Sequence, residues 1–184
     1  MPWSPEQKQQ TRKRILASAA KLFTQKGFDH VGINEVMEDA GLTRGAFYAH
    51  FTSKAELYAE SIGTAARCAH TAALAQTGGN FDMERVVRGY LSETHRQGDT
   101  INCPLALLIT DIGQRDDEVR NAYTQVFKGF AGLIKENGGE TVAQDEALRK
   151  AVLMVGGMAI SRAINDEQLA MQLLDACREG VLSE

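Results

Sequence analysis

Residues 27–58, GFDHVGINEVMEDAGLTRGAFYAHFTSKAELY, decide the fold. Ile33, Val36, Met37 and Ala40 recur at the spacing of one helical face, which predicts a short helix over 33–40. Gly41 makes the turn with Leu42 tucked behind it, and Thr43 stands where a side-chain oxygen can cap a second helix from Arg44 to about His50. Two short helices joined by a three-residue turn containing glycine have the spacing of a helix-turn-helix. On spacing alone an ordinary αα-hairpin fits equally well. Ser53, with Glu56 three residues on, forms a capping box that opens a long helix to about Gln76.

The same signals continue on both sides. Upstream, Ser4-Pro5-Glu6-Gln7 combines a cap, a proline at the first helical position and a capping-box glutamine. Ile15, Ala19, Leu22 and Phe23 then make an apolar stripe, and Gly27 is placed to end that helix. Downstream, helices are expected over about 81–96, 103–113, 116–137, 141–164 and 165–178. Their punctuation is Gly78-Gly79-Asn80, Gly98-Asp99, Gly138-Gly139 and Asn165-Asp166, with Thr141 and Gln144 as a third capping box. No strand alternation competes. The expected fold class is all-α, with about nine helices.

Composition agrees. The only prolines among 184 residues are Pro2, Pro5 and Pro104, leaving two long runs free of the residue that breaks helices. Apolar residues at 43% and charged residues at 24% exclude a disordered chain. No stretch approaches the roughly 18 to 20 apolar residues of a membrane span, so a soluble, cytoplasmic protein without membrane contact is expected. Cys68, Cys103 and Cys177 are odd in number and widely spaced, which argues against a disulfide framework and gives no metal pair. No nucleophile–base pair, phosphate loop or metal spacing stands out, so neither an enzyme nor a cofactor is expected.

The net charge of -4 is unevenly placed. Residues 1–54 hold eight bases against five acids, and the remainder twelve against nineteen. A +3 segment on a -7 body suggests one part built to meet an anion. Arg12, Lys13 and Arg14 fit that part, although a basic run is equally often a solvated face.

The register of Ala40-Gly41-Leu42-Thr43-Arg44-Gly45-Ala46-Phe47-Tyr48, followed by His50-Phe51 and Ser53-Lys54, resembles the DNA-binding domain of the TetR/AcrR family of bacterial transcription regulators. Val31 and Gly32 depart from it where a threonine or serine cap is usual, as does Met37 where alanine is usual. The resemblance implies an N-terminal three-helix DNA-binding domain over 1–52 and a helical ligand-binding and dimerisation domain over 53–184. Residues 44–50 become the recognition helix in the major groove. Arg44 is expected to read guanine, and Gly45 and Ala46 to permit close approach. Tyr48, His50, Lys54, Thr43 and Arg12 are expected at phosphates or base edges, and Phe47 in the core.

The resemblance further implies a homodimer on an imperfectly palindromic operator, with Ala151, Val155, Gly156, Ala159, Leu169 and Leu173 at the interface. It also implies a small-molecule effector in a pocket among the middle helices. Expected lining residues are Cys68, Thr71, Tyr90, His95, Cys103, Leu107, Asn121, Tyr123, Phe127, Met154 and Met158, with Leu74, Leu91 and Phe130 beside them. The expected function is a repressor released by that effector. An alternative is a repressor switched by covalent modification of Cys103, whose place before Pro104 at a helix start would lower its thiol pKa.

Overall fold

The structure is a computed structural model and describes residues 4–76, 82–98, 103–137 and 142–183. These form eleven helices and no strand. They are α1 (Pro5–Lys26), α2 (Ile33–Asp39), α3 (Arg44–Phe47), α4 (Lys54–Gln76), α5 (Met83–Tyr90), α6 (Glu93–Gln97), α7 (Pro104–Leu107), α8 (Ile109–Ile112), α9 (Asp117–Asn137), α10 (Gln144–Ala163) and α11 (Glu167–Leu182).

Eleven replaces the expected nine because two predicted helices are each broken. Leu91 leaves helical geometry at φ -92° and ψ 54°, and Ser92 Oγ then accepts from the His95 N–H to start α6. Leu108, at φ -107° and ψ 0°, separates α7 from α8. Neither break carries a glycine or proline, so residue type gave no warning. The last helix also runs on to Leu182, past the expected end near Arg178. The expected breaks at 78–80 and 138–139, the Thr141 cap, Asp99 and Pro2 lie outside the described residues. Within them, α10 starts after Ala143 with no side-chain cap.

The helix starts in the first third follow their sequence signals closely. Ser4 Oγ accepts from the Gln7 N–H at 3.2 Å while the Gln7 side chain accepts from the Ser4 N–H at 3.0 Å. Ser53 Oγ accepts from the Glu56 N–H, and the Glu56 carboxylate accepts from the backbone N–H and hydroxyl of Thr52. Thr43 differs from expectation: its backbone occupies the cap position of α3, but its side chain makes no capping bond. Gly32 likewise begins α2 without a side-chain cap. At the turn between α2 and α3, Gly41 has φ +65°, a conformation that costs a residue with a Cβ roughly 1–2 kcal/mol.

Two cores result. The first joins Ile15 and Phe23 of α1, Val36 and Met37 of α2, Phe47, Phe51, and Leu57, Tyr58 and Ile62 of α4. Leu108, Ile112 and Val119 complete it from the second half of the chain. The second core holds Val87, Leu91, Leu105, Ile134, Ala151, Met154, Met158, Leu174 and Cys177. Tyr123 and Val126 of α9 pack against both. α4 therefore starts in one core and runs toward the other, and α9 lies along it.

A reciprocal clamp fixes α6 to the far end of α10. Arg96 donates to the carbonyls of Ser161 and Ile164 and, from Nη1, to both carboxylate oxygens of Glu167, while Arg162 donates to the carbonyls of His95 and Arg96. Each guanidinium sits at the C-terminal carbonyls of the other helix, where a cation is favoured.

Candidate nucleic-acid interface and effector cavity

The segment from Thr43 to His50 projects from the first core. α3 spans only Arg44–Phe47, and the chain continues as turns in which the His50 and Phe51 N–H groups both donate to the Phe47 carbonyl. Phe47 is fully buried and anchors the segment, with its ring edge-on to Tyr48 at 5.1 Å. Thr43, Arg44, Gly45 and Tyr48 are exposed, and Tyr48 retains 61% of its surface. Arg44 makes no ion pair among the described residues. A free guanidinium beside glycine, with an aromatic hydroxyl four residues on, is a surface able to meet phosphates and base edges.

Four of the expected DNA contacts are placed differently. Ala46 is half-buried and packs on the first core. Arg12 turns toward α4, where Nη2 donates to Glu60 at 2.5 Å and the guanidinium lies over the Phe51 ring at 4.6 Å. Lys54 lays its ammonium over the Phe28 ring at 4.0 Å, and burial pulls its pKa down. His50 is half-buried, and burial together with the charges of Lys8 and Arg12 holds its pKa low, so the ring is neutral at pH 7. Arg14 braces the turn by donating to the Ala40 carbonyl at 2.6 Å.

A polar junction binds this head to the body. Arg115 donates to Asp29 in the α1–α2 loop and to Asp111 of α8, and its guanidinium covers the other approach to the Phe28 ring at 4.4 Å. Tyr58 of α4, fully buried, donates its hydroxyl to the second oxygen of Asp111. Burial and that carboxylate push the Tyr58 phenol far above its ordinary pKa. Sequence reasoning passed over this junction because its members are up to 86 residues apart and match no motif.

The body contains a cavity of about 610 Å³ lined by α4, α5, α7 and α9, with Met154 of α10. Of the expected lining residues, Tyr90, Cys103, Phe130 and Met154 are on its wall. The others are not. Thr71 and Asn121 are exposed, Cys68 lies off the lining face of α4, and Leu107 packs on the first core. Leu91, Phe127 and Met158 belong to the second core. Tyr123 donates its hydroxyl to the Leu105 carbonyl. The His95 Nδ1 faces the Tyr90 carbonyl at 2.6 Å. The side chain of Leu74 lies outside what the structure describes.

The wall that reasoning missed is one of small residues. Ala59, Gly63, Ala66 and Ala73 share one face of α4, and a Cβ at Gly129 of α9 would meet open space. Their three- and four-residue spacing was legible, but a small-residue stripe reads equally as close helix packing. Cys103 also differs from expectation. It is 7% exposed, and burial pushes its thiol pKa up despite the nearby N–H groups of Leu105 and Ala106. A four-residue helix offers too little dipole to overcome that desolvation.

On the outer side of α10 and α11, Val152, Ile160 and Leu169 are 61%, 54% and 49% exposed. Ala151 and Val155, expected at the dimer interface, face inward and are buried in the protomer, because inward positions on α10 already pack against α11. Gly157 shows the tightness of that contact: a Cβ there would lie 2.6 Å from Cys177 Sγ. Gly156, Ala159 and Leu173 are partly exposed beside the outer stripe.

The family model for bacterial regulatory proteins of the tetR family matches residues 15–61, the span of the head and the start of α4. The HTH-type transcriptional repressor NemR of Escherichia coli (strain K12) is 28% identical over 143 residues, covering 71% of this chain and 69% of that protein. The crystal structure of the reduced form of E. coli NemR superposes with a TM-score of 0.73 at 20% identity, over 94% of this chain and 95% of that one. A TetR-family transcriptional regulator from Cytophaga hutchinsonii gives a TM-score of 0.78 at 16% identity, over 98% and 96%. At these identities the two structures speak for the fold alone.

Proposed function

We propose that the chain is a DNA-binding transcriptional regulator of the TetR family rather than an enzyme, a cytoplasmic homodimeric repressor released from a palindromic operator by a small-molecule effector. One observation carries the reading: Glu60 of α4 lies on the cavity wall and also holds Arg12, which stacks on Phe51 beside the recognition segment. Occupying the cavity bears on α4, the helix that holds Arg12 and Phe51 beneath the recognition segment.

In this reading Arg44 reads a base edge, with Gly45 allowing close approach, while Thr43 and Tyr48 contact the backbone. The dimer forms through the exposed stripe of Val152, Ile160 and Leu169, with Gly156, Ala159 and Leu173 at its margins. Such a stripe is costly in water and is covered by a twofold partner that offers the same surface. Two recognition segments then meet two half-sites, and an effector that prefers the wrongly spaced dimer lowers DNA affinity by its differential binding.

The test is titration of purified protein against the DNA flanking its own gene, at two salt concentrations. Tight, salt-sensitive, two-to-one binding to a palindromic segment is expected. Binding that ignores sequence or salt overturns the reading.

A second reading, a covalent switch at Cys103, draws support from that residue's place on the cavity wall and from the relative solved in a reduced form. The raised thiol pKa weighs against it, because the thiolate is the reactive form. Mild oxidation that removes DNA binding, reversibly by thiol and not in Cys103→Ala, would establish the covalent switch in place of the non-covalent one.

A further inference from the structure

The cavity is walled mainly by alanine, glycine, methionine and branched apolar side chains, and its polar groups are unevenly spread. Glu60, Arg67 and His70 stand on α4, and the exposed Gln125 on α9. Glu60 is held by Arg12, Arg67 donates to Thr64 Oγ1 at 2.9 Å, and the Arg67 and His70 side chains are exposed. The opposite group is different in kind. There the Tyr90 hydroxyl is buried and has no nitrogen or oxygen hydrogen-bond partner among the described residues, only a sulfur. Its titratable neighbour is the Cys103 thiol, a weak acceptor.

The Leu105 carbonyl on the same wall is not left open either, since it accepts from the Tyr123 hydroxyl at 2.8 Å. Nor is the phenol free to swing away. Its ring is edge-on to His95 at 4.7 Å and tilted against Phe130 at 5.7 Å. A phenol and a thiol therefore meet at the wall of an apolar cavity, two donors with no strong acceptor between them. Leaving a buried donor unsatisfied costs more than a typical hydrogen bond returns, so such a group is a place where a ligand gains selectivity.

We infer that the cavity takes a neutral, largely apolar molecule bearing a hydrogen-bond-accepting oxygen, of the ketone or ester class, seated with that oxygen against the Tyr90 hydroxyl. The inference rests on the reading of this cavity as the effector site and adds the chemical class that the site selects. A carboxylate is disfavoured because no buried cation among the described residues faces Tyr90, and a plain hydrocarbon leaves the phenol with only the Cys103 thiol. The volume of about 610 Å³ suits a ligand of two or three fused or linked rings.

The experiment uses full-length protein, equilibrium dialysis and three probes of nearly equal size: 2-acetylnaphthalene, 2-ethylnaphthalene and 2-naphthoate. In the wild type, the ketone should bind about tenfold more tightly than the hydrocarbon, the worth of one buried hydrogen bond. Tyr90→Phe should abolish that preference while leaving the hydrocarbon affinity within about twofold. Without ligand the same variant should melt at or above the wild-type temperature, because the buried hydroxyl it removes has only a weak thiol acceptor. Retention of none of the probes, a wild type that does not distinguish ketone from hydrocarbon, a preference that survives in Tyr90→Phe, or tightest binding of naphthoate each overturns the inference. Operator binding by the wild type is followed in parallel. Intact operator binding with no ketone preference sinks only the ligand class, whereas absent operator binding sinks the regulator reading itself.

Discussion

Arg12 Nη2 lies 2.5 Å from Glu60 Oε1, and this pair ties the first helix to a residue of the cavity wall 48 positions away. Glu60 raises the Arg12 pKa and keeps the guanidinium charged beside Phe51. Both side chains are about a third exposed, so solvent screens the pair and its direct worth is about 0.5 kcal/mol or less. Its importance lies in what it restrains. Glu60→Gln should free Arg12 for a backbone phosphate and steepen the salt dependence of operator binding by about one contact, with little change in melting temperature. An unchanged salt slope would mean that Arg12 stays on α4 without its partner.

Arg44 is exposed, unpaired among the described residues, and first in α3. Arg44→Ala should weaken operator binding by about tenfold to a hundredfold and relax base preference at one position in each half-site. Stability should not change, since no intramolecular contact is removed. Binding equal to wild type in an anisotropy titration would remove Arg44 from the reading surface.

Arg115 and Asp111 are 17% and 18% exposed, and Tyr58 leans on the same carboxylate. Arg115→Gln leaves Asp111 partly buried without its cation and detaches Asp29 from the body. A loss of about 2 kcal/mol is expected, or about 4–8 °C in melting temperature for a chain of this length. The first core should loosen most, so hydrogen exchange in α1 and α2 should speed up more than in α10 and α11. A uniform change across the molecule would refute the junction's role in seating the head.

Ile160 is large, apolar and 54% exposed on the outer side of α10. Ile160→Asp should convert the proposed dimer to a monomer in sedimentation analysis and cost operator affinity with it, while the folded protomer persists because more than half of the side chain already faces solvent. A dimer unaffected by this change would place the interface on another surface.

His95 has its pKa held below the ordinary value by burial, with the Arg162 charge acting in the same direction and the Tyr90 carbonyl opposing. His50 is shifted the same way by burial, Lys8 and Arg12. Because the unfolded chain takes up protons first, the stability these groups contribute is complete above about pH 6.5 and is lost as the pH falls through the folded values. Between pH 7.5 and 5.5 the melting temperature should fall, and His95→Asn should lose less over that range. Parallel pH curves for the two proteins would exclude His95 as a source of the dependence.

The sequence determined the helical class, the registers and most helix starts, because capping and periodicity are local: Ser4 with Gln7, Ser53 with Glu56, and Gly41 at positive φ act within a few residues of themselves. It also determined in outline which side of that segment faces solvent, since Phe47 had to turn inward and Arg44 and Tyr48 outward on so short a helix. Only the tertiary structure decided which charges remain available. Arg12 and Lys54 look like free cations along the chain, yet Glu60 with Phe51, and Phe28, occupy them. It likewise reversed the expected pKa shift of Cys103 and moved the outer face of α10 from Ala151 and Val155 to Val152 and Ile160. The physical reason is common to these cases. Burial and ion pairing depend on what a distant element brings to a side chain, and a helical repeat states that a face is apolar without stating what will cover it.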